Sequence, residues 1–171
     1  MPNPQKAKGS AFERDVANHL SDLYGLKFLK TPSSGGYVGG KNNVRREYLD
    51  EDTIRVMKGD IVVPQEFSRL CIECKSYKDF PFHQLLLREE VKMLETWLAQ
   101  MFDAADPNDL NLLIMKFNNK GKFVMFEKSE GFSFTRGIEY NSPAYPGWIF
   151  VGYDDFFELN QESLRNQAKK A

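Results

Sequence analysis

The chain has 171 residues, 42% hydrophobic and 13% aromatic, which suits one globular domain with a substantial core and argues against a disordered or fibrous chain. Its formal net charge of -1 excludes a global electrostatic pull toward nucleic acid, and its two cysteines cannot make a disulfide framework. No apolar run approaches the roughly 18 residues of a membrane span, and the polar stretch 1–10 lacks a signal-peptide core, so a cytosolic protein without a membrane partner is expected.

In chain order, Phe12, Val16, Leu20 and Leu23 recur at helical spacing and predict a helix over 10–24 that Gly25 ends. Ser10 with Glu13 three residues later fits a capping box; the other role open to Glu13 is a third acidic group at a metal site. Arg14 can reach a phosphate or stand as a surface arginine, and His19 reads as packing or surface. Residues 26–30 form a short strand, followed by the glycine-rich stretch 31–42. Gly35 to Lys41 has the spacing of a G-x-x-x-x-G-K phosphate loop, but Asn42 stands where Ser or Thr should hold Mg²⁺ and no buried strand precedes it, so no nucleotide cofactor is expected. The stretch reads instead as an arm presenting Lys41, Arg45 and Arg46 to a polyanion. Up to Arg46 there are eight basic residues (Lys6, Lys8, Arg14, Lys27, Lys30, Lys41, Arg45 and Arg46) against Glu13, Asp15 and Asp22, a local charge of +5 on a near-neutral protein.

Residues 58–63 and 70–75 read as two strands joined by a turn over 64–69. Side chains two apart on a strand share a face, so Glu73 and Lys75 point the same way, and a tight hairpin brings Asp60 within reach of Glu73. Two carboxylates and an ammonium on one sheet edge can hold a divalent cation and a polarised water; the plain alternative is a solvated charge pair on an outer strand face. Residues 76–82 are a connector. The clearest helix covers 85–102, with a core stripe of Leu87, Val91, Leu94, Leu98 and Met101 widened by Trp97 and Phe102. Strands over 110–117 and 122–127 flank a hairpin turn at 118–121, residues 129–146 look irregular, and 148–153 is a last strand. Asp154 caps a short helix carrying Phe156, Phe157 and Leu159, and the tail from Gln161 is polar and frayed. Cys71 and Cys74 form a lone C-x-x-C whose members face opposite ways on a strand, so they are structural, and His19 and His83 are too few for a histidine-based site.

At several points the chain resembles a known family. Lys8-Gly9-Ser10-Ala11-Phe12-Glu13-Arg14 is similar to the opening Lys-Gly-x-x-x-Glu-Arg of the archaeal Holliday junction resolvases, and 31–36 resembles their loop with a Ser-Gly pair. Gly59-Asp60-Ile61-Val62 and Cys71-Ile72-Glu73-Cys74-Lys75 resemble the Asp and Glu-x-Lys elements of the wider PD-(D/E)XK nuclease superfamily, and 114–117 and 122–124 fall where its late strands lie. The likeness covers about 6–128. It departs at Gly59, which replaces the proline before the aspartate, at the longer insertion over 35–58, and at 129–171, which has no counterpart.

The resemblance implies an α/β fold: a restriction-endonuclease-like mixed β-sheet flanked by helices, with an αβββαβ core over 6–128 and a C-terminal extension in a single domain. It implies a structure-specific DNA endonuclease that resolves four-way Holliday junctions by metal-dependent phosphodiester hydrolysis. Glu13, Asp60, Glu73 and the Cys74 carbonyl would hold Mg²⁺ or Mn²⁺, Lys75 would position or activate the water, and Ser34 would sit by the scissile phosphate. Lys8, Arg14, Lys30, Lys41, Arg45 and Arg46 would bind DNA. Two symmetric cuts imply a homodimer, for which Phe80, Phe82 and Trp97 offer a candidate surface. The alternatives are another nuclease of the superfamily, restriction-like or repair, and a DNA-binding protein that kept the fold without cutting. The glycine-rich insertion and small size suit a viral genome-processing enzyme acting in its host's cytoplasm.

Overall fold

Apolar side chains at alternate positions of the strands decide how the molecule is layered. The computed structural model describes residues 3–32 and 58–169. Among them five strands form one sheet in the order β3-β4-β5-β7-β6: β3 (Leu70–Tyr77), β4 (Leu110–Phe117), β5 (Gly121–Glu127), β6 (Gly137–Tyr140) and β7 (Trp148–Gly152). β3 runs parallel to β4 and every other pairing is antiparallel. A separate two-stranded ribbon pairs β1 (Leu29–Lys30) with β2 (Ile61–Val62).

Ile72, Cys74, Leu112, Ile114, Val124, Phe126, Ile149 and Val151 project from one face of the sheet. They pack against α1 (Pro4–Tyr24), through Phe12, Val16, Ala17 and Leu20, and against α4 (Tyr153–Gln167), through Phe156, Phe157 and Leu164. Leu113, Met115, Phe117, Met125, Trp148 and Phe150 project from the other face onto α3 (Lys92–Ala104). The helix–sheet–helix sandwich matches the restriction-endonuclease-like mixed sheet expected from the sequence. Among the described residues no helix is long and apolar enough to cross a membrane.

Several local expectations are corrected. α1 begins at Pro4, where the Asn3 side chain accepts from the Gln5 N–H at 3.0 Å, so Ser10 lies inside the helix and the capping box does not form. Its end is as expected: Gly25 adopts φ 63°, and its N–H donates to the Ser21 carbonyl. β2 is not one arm of a hairpin with β3, because its ladder bonds go to β1 and it meets β3 through Asp60. The long helix is broken into α2 (Phe82–Leu86) and α3, with Arg88 between them at φ 59°. Its cause is tertiary: the Val91 N–H donates to the Tyr140 hydroxyl, at 3.1 Å, instead of to a carbonyl one turn back. Leu86 and Leu87 are therefore 66% and 68% exposed, and Leu87 leaves the core stripe.

The irregular stretch contains β6, which pairs with β7. α4 is capped at Gly152 rather than Asp154 and runs on to Gln167, kinked at Asn160, whose carboxamide bonds to the Ser133 N–H and carbonyl. Leu164 and Ala168 are buried, so the tail is docked and not frayed, while Leu159 is exposed. Phe80 and Trp97 are buried and Phe82 is half-buried around Phe117, so these aromatics are core and offer no dimer surface.

Candidate active site

Among the described residues β3 has a strand partner on one side only. Its free edge is closed by Asp60: the Asp60 N–H donates to the Ile72 carbonyl at 2.8 Å, and the Cys74 N–H donates to Asp60 Oδ2 at 2.7 Å. Three neighbours set this position. Thr31 N–H donates to the Asp60 carbonyl at 2.9 Å. Gly59 adopts φ 67°, and a Cβ there would lie 2.7 Å from the Ile72 carbonyl oxygen, so glycine is required by both backbone and space. Lys58, fully enclosed, places Nζ 2.6 Å from Asp109 Oδ2 and 3.7 Å from Asp106 Oδ2. The glycine in place of the superfamily's proline thus fits a sharp approach of backbone to backbone.

Alternation along β3 sends Glu73 and Lys75 to one face, where Lys75 Nζ lies 3.3 Å from Glu73 Oε1. Gln100, on α3, accepts a second hydrogen bond from the same ammonium. Glu13 arrives from α1, buried, with Lys30 Nζ of β1 at 3.3 Å from its Oε2. Burial first, and then the charge of Glu73, push the Asp60 carboxyl well above the usual carboxylate range, against the lowering hydrogen bond from the Cys74 N–H. Burial also raises Glu73, opposed by Lys75, and Glu13 adds to the rise of both. Glu13, Asp60, Glu73 and Lys75 therefore share one electrostatic neighbourhood at the edge of β3.

The donors suit a hard divalent cation. Asp60 and Glu73 are two nearly enclosed carboxylates that repel each other, which a cation between them would relieve. A residue's N–H and C=O leave a strand on the same side, so the Cys74 carbonyl faces the edge that Asp60 occupies. Among the described residues no three His, Cys, Asp or Glu side chains converge closely enough to surround one ion. Mg²⁺ is commonly held by one or two carboxylates plus waters, so this carboxylate pair, with Glu13 in field range, meets that need.

Of the other candidates, Lys8 is exposed on α1 and Arg14 extends along the same helix to Ser10 Oγ at 3.0 Å. Lys30 is turned inward to Glu13. Ser34, Lys41, Arg45 and Arg46 lie outside the described residues. Cys71 and Cys74 are buried free thiols, and burial raises both well above the usual thiol range, which leaves them unreactive. His19 bonds to the Tyr153 hydroxyl at 2.6 Å, and His83 is exposed on α2. The sequence reading missed Gly59 as a structural requirement, the Lys58–Asp109 pair and Gln100. The last two act across 51 and 25 residues, beyond any local pattern.

A family model described as "Phage putative PDDEXK endonuclease" matches residues 4–149. The chain belongs to this phage PDDEXK endonuclease family. It is accordingly a nuclease of the PD-(D/E)XK type, and the match places it with phage endonucleases rather than with the archaeal resolvases that its first motif resembles. The matched span includes Glu13, Asp60, Glu73 and Lys75, and it runs past residue 128 through β6 into β7. No curated protein and no solved structure matches the chain.

Proposed function

We propose that this phage PDDEXK endonuclease hydrolyses DNA phosphodiesters at the β3 edge, with a preference for branched, four-way DNA, in the cytoplasm of the host. The observation that carries the reading is the Asp60 carboxylate docked on the Cys74 N–H, beside Glu73 and Lys75 on the same strand. Asp60, Glu73 and the Cys74 carbonyl would hold Mg²⁺ or Mn²⁺, with Glu13 adding negative charge nearby. A cation bound there supplies a more acidic water and neutralises charge on the phosphate under attack. Lys75, held between Glu73 and Gln100, presents its remaining N–H to that water or to a phosphate oxygen. Lys8 and Arg14 on α1 would bind flanking phosphates; Ser34 is assigned to the scissile phosphate from the resemblance alone, and Lys41, Arg45 and Arg46 to DNA from the basic character of their stretch. A four-way junction needs two symmetric cuts, so the working form would be a homodimer.

A non-catalytic binder fits less well, because two enclosed carboxylates repel a polyanion and each other, a cost that a bound cation offsets. The test is cleavage of a labelled panel (four-way junction, flap, duplex, single strand) with Mg²⁺, with Mn²⁺ and with chelator, alongside sedimentation of the protein on junction DNA. Metal-dependent cutting is expected, fastest on the junction, and Asp60→Asn should abolish it while DNA binding stays near normal. Equal rates on duplex and junction would remove the branched-DNA preference and leave the nuclease. Binding without cutting in either metal would remove the nuclease chemistry.

A further inference from the structure

One row across the sheet carries two like charges face to face. Ser76, the residue after Lys75, registers with Lys116 on β4, and Lys116 registers with Lys122 on β5. Ile114 and Val124, two positions away on the same strands, face α1 and α4, so by alternation both lysines lie on that face. Both are nevertheless exposed. Among the described residues neither ammonium has a carboxylate within ion-pair distance; Lys120, in the turn between them, pairs with Asp79 at 3.0 Å, and Lys122 lies 4.3 Å above the Tyr153 ring. Asp15 and Asp154 act on the Tyr153 hydroxyl without pairing to Lys122.

Like charges directly opposite on antiparallel strands destabilise a sheet, so a pair left without acids is explained by an anionic partner. The amino end of α1 meets the same row, because the Gln5 side chain donates to the Ser76 carbonyl. That helix end has no acidic residue in its first turn and carries exposed Lys6 and Lys8, which adds positive potential beside the lysines. Strands lie about 4.8 Å apart, so Lys116 and Lys122 stand one and two strands from the residue that follows Lys75.

We propose that Lys116 and Lys122 form a phosphate track that grips the DNA backbone on the α1 and α4 face of the sheet, the face opposite the one that carries Glu73 and Lys75. This rests on the nuclease reading for the identity of the strand; the anion site itself follows from the row. The test is anisotropy of labelled junction and duplex over a salt series, with Ca²⁺ as the only divalent ion. Wild type is compared with Lys116→Gln/Lys122→Gln and with Lys128→Gln, a lysine paired to Glu139 at the other end of β5. Each lost phosphate contact removes about 0.9 from the salt slope, so the double variant should show a slope shallower by about 2 and bind both DNAs at least tenfold more weakly at about 0.1 M salt. Its melting temperature should be equal or higher, because repulsion is relieved. A slope and affinity equal to those of Lys128→Gln overturn the proposal, as does a lower melting temperature with an unchanged slope. A shallower slope in the double variant beside a wild type that cuts nothing leaves the track standing and removes the nuclease reading; a wild type that cuts beside a double variant of unchanged slope removes the track alone.

Discussion

Asp60 is held where an ionised carboxylate is disfavoured: enclosed, with Glu73 beside it and one N–H bond from Cys74 in compensation. Its raised pKa sets the sign of a pH effect. Between the unfolded value, about 4, and the raised native value, the folded state binds more protons than the unfolded state. Stability from this group is therefore greatest in acid and falls as pH rises through the native pKa; above it the loss is complete. Asp60→Asn keeps an acceptor for the Cys74 N–H and removes the charge. In chelator it should melt higher than wild type at pH 8, with the gap closing toward pH 4; each 1 kcal/mol recovered is worth roughly 2–4 °C in a chain of this size. A variant melting below wild type at pH 8 would mean that the carboxylate stabilises the metal-free fold. Glu73 and Lys75 were legible as sharing a face because strand alternation is a local rule, whereas Asp60 reaches β3 by an edge contact and not by the hairpin expected. Glu13 was legible only as one of two alternatives, and Gln100 was not, because its partner Lys75 sits on another element.

Elements were read well where the pattern alone decides them and poorly where a distant group does. β4 and its hairpin with β5 came through within a residue, since apolar runs around Asn-Asn-Lys-Gly leave few options. The break between α2 and α3 was invisible, because the apolar spacing continues across it while the Tyr140 hydroxyl takes the Val91 N–H. The turn bearing Asp60 belongs to the same class: Lys58 pins it to the β4 end of the sheet through Asp109, and nothing local in the sequence pairs the two. Removing one partner of an enclosed ion pair strands the other charge. Lys58→Met should therefore lower stability by about 3–5 kcal/mol in urea unfolding. Lys58→Met/Asp109→Leu should recover much of that loss, because no enclosed charge is left unpaired; Asp106, the other carboxylate near Lys58, is partly exposed. Additive losses in the double variant would show that the two side chains act independently.

At the scale of the molecule, the segment beyond residue 128 is where sequence and structure part most. It resembled nothing in the core motifs and read as an appendage, because aromatic and glycine-rich stretches carry little periodicity. Instead β7 lies between β5 and β6, and α4 covers the face that α1 leaves open, so Val124 and Phe126 depend on it for burial. The Arg69 N–H, just ahead of β3, donates to the Ala168 carbonyl at 2.7 Å, which ties the end of α4 to the start of the strand carrying Glu73 and Lys75. A chain ending at Lys128 would lose Phe132, Tyr140, Trp148, Phe150, Phe156, Phe157 and Leu164 from the core. At about 1.5–3 kcal/mol for each large apolar side chain, that is as large as the whole margin of about 5–15 kcal/mol by which domains are commonly stable. The truncated chain should show no cooperative melt by circular dichroism and no metal-dependent cleavage. A truncated chain that melts cooperatively and still cuts would confine the working unit to the first five strands and make the last two an accessory.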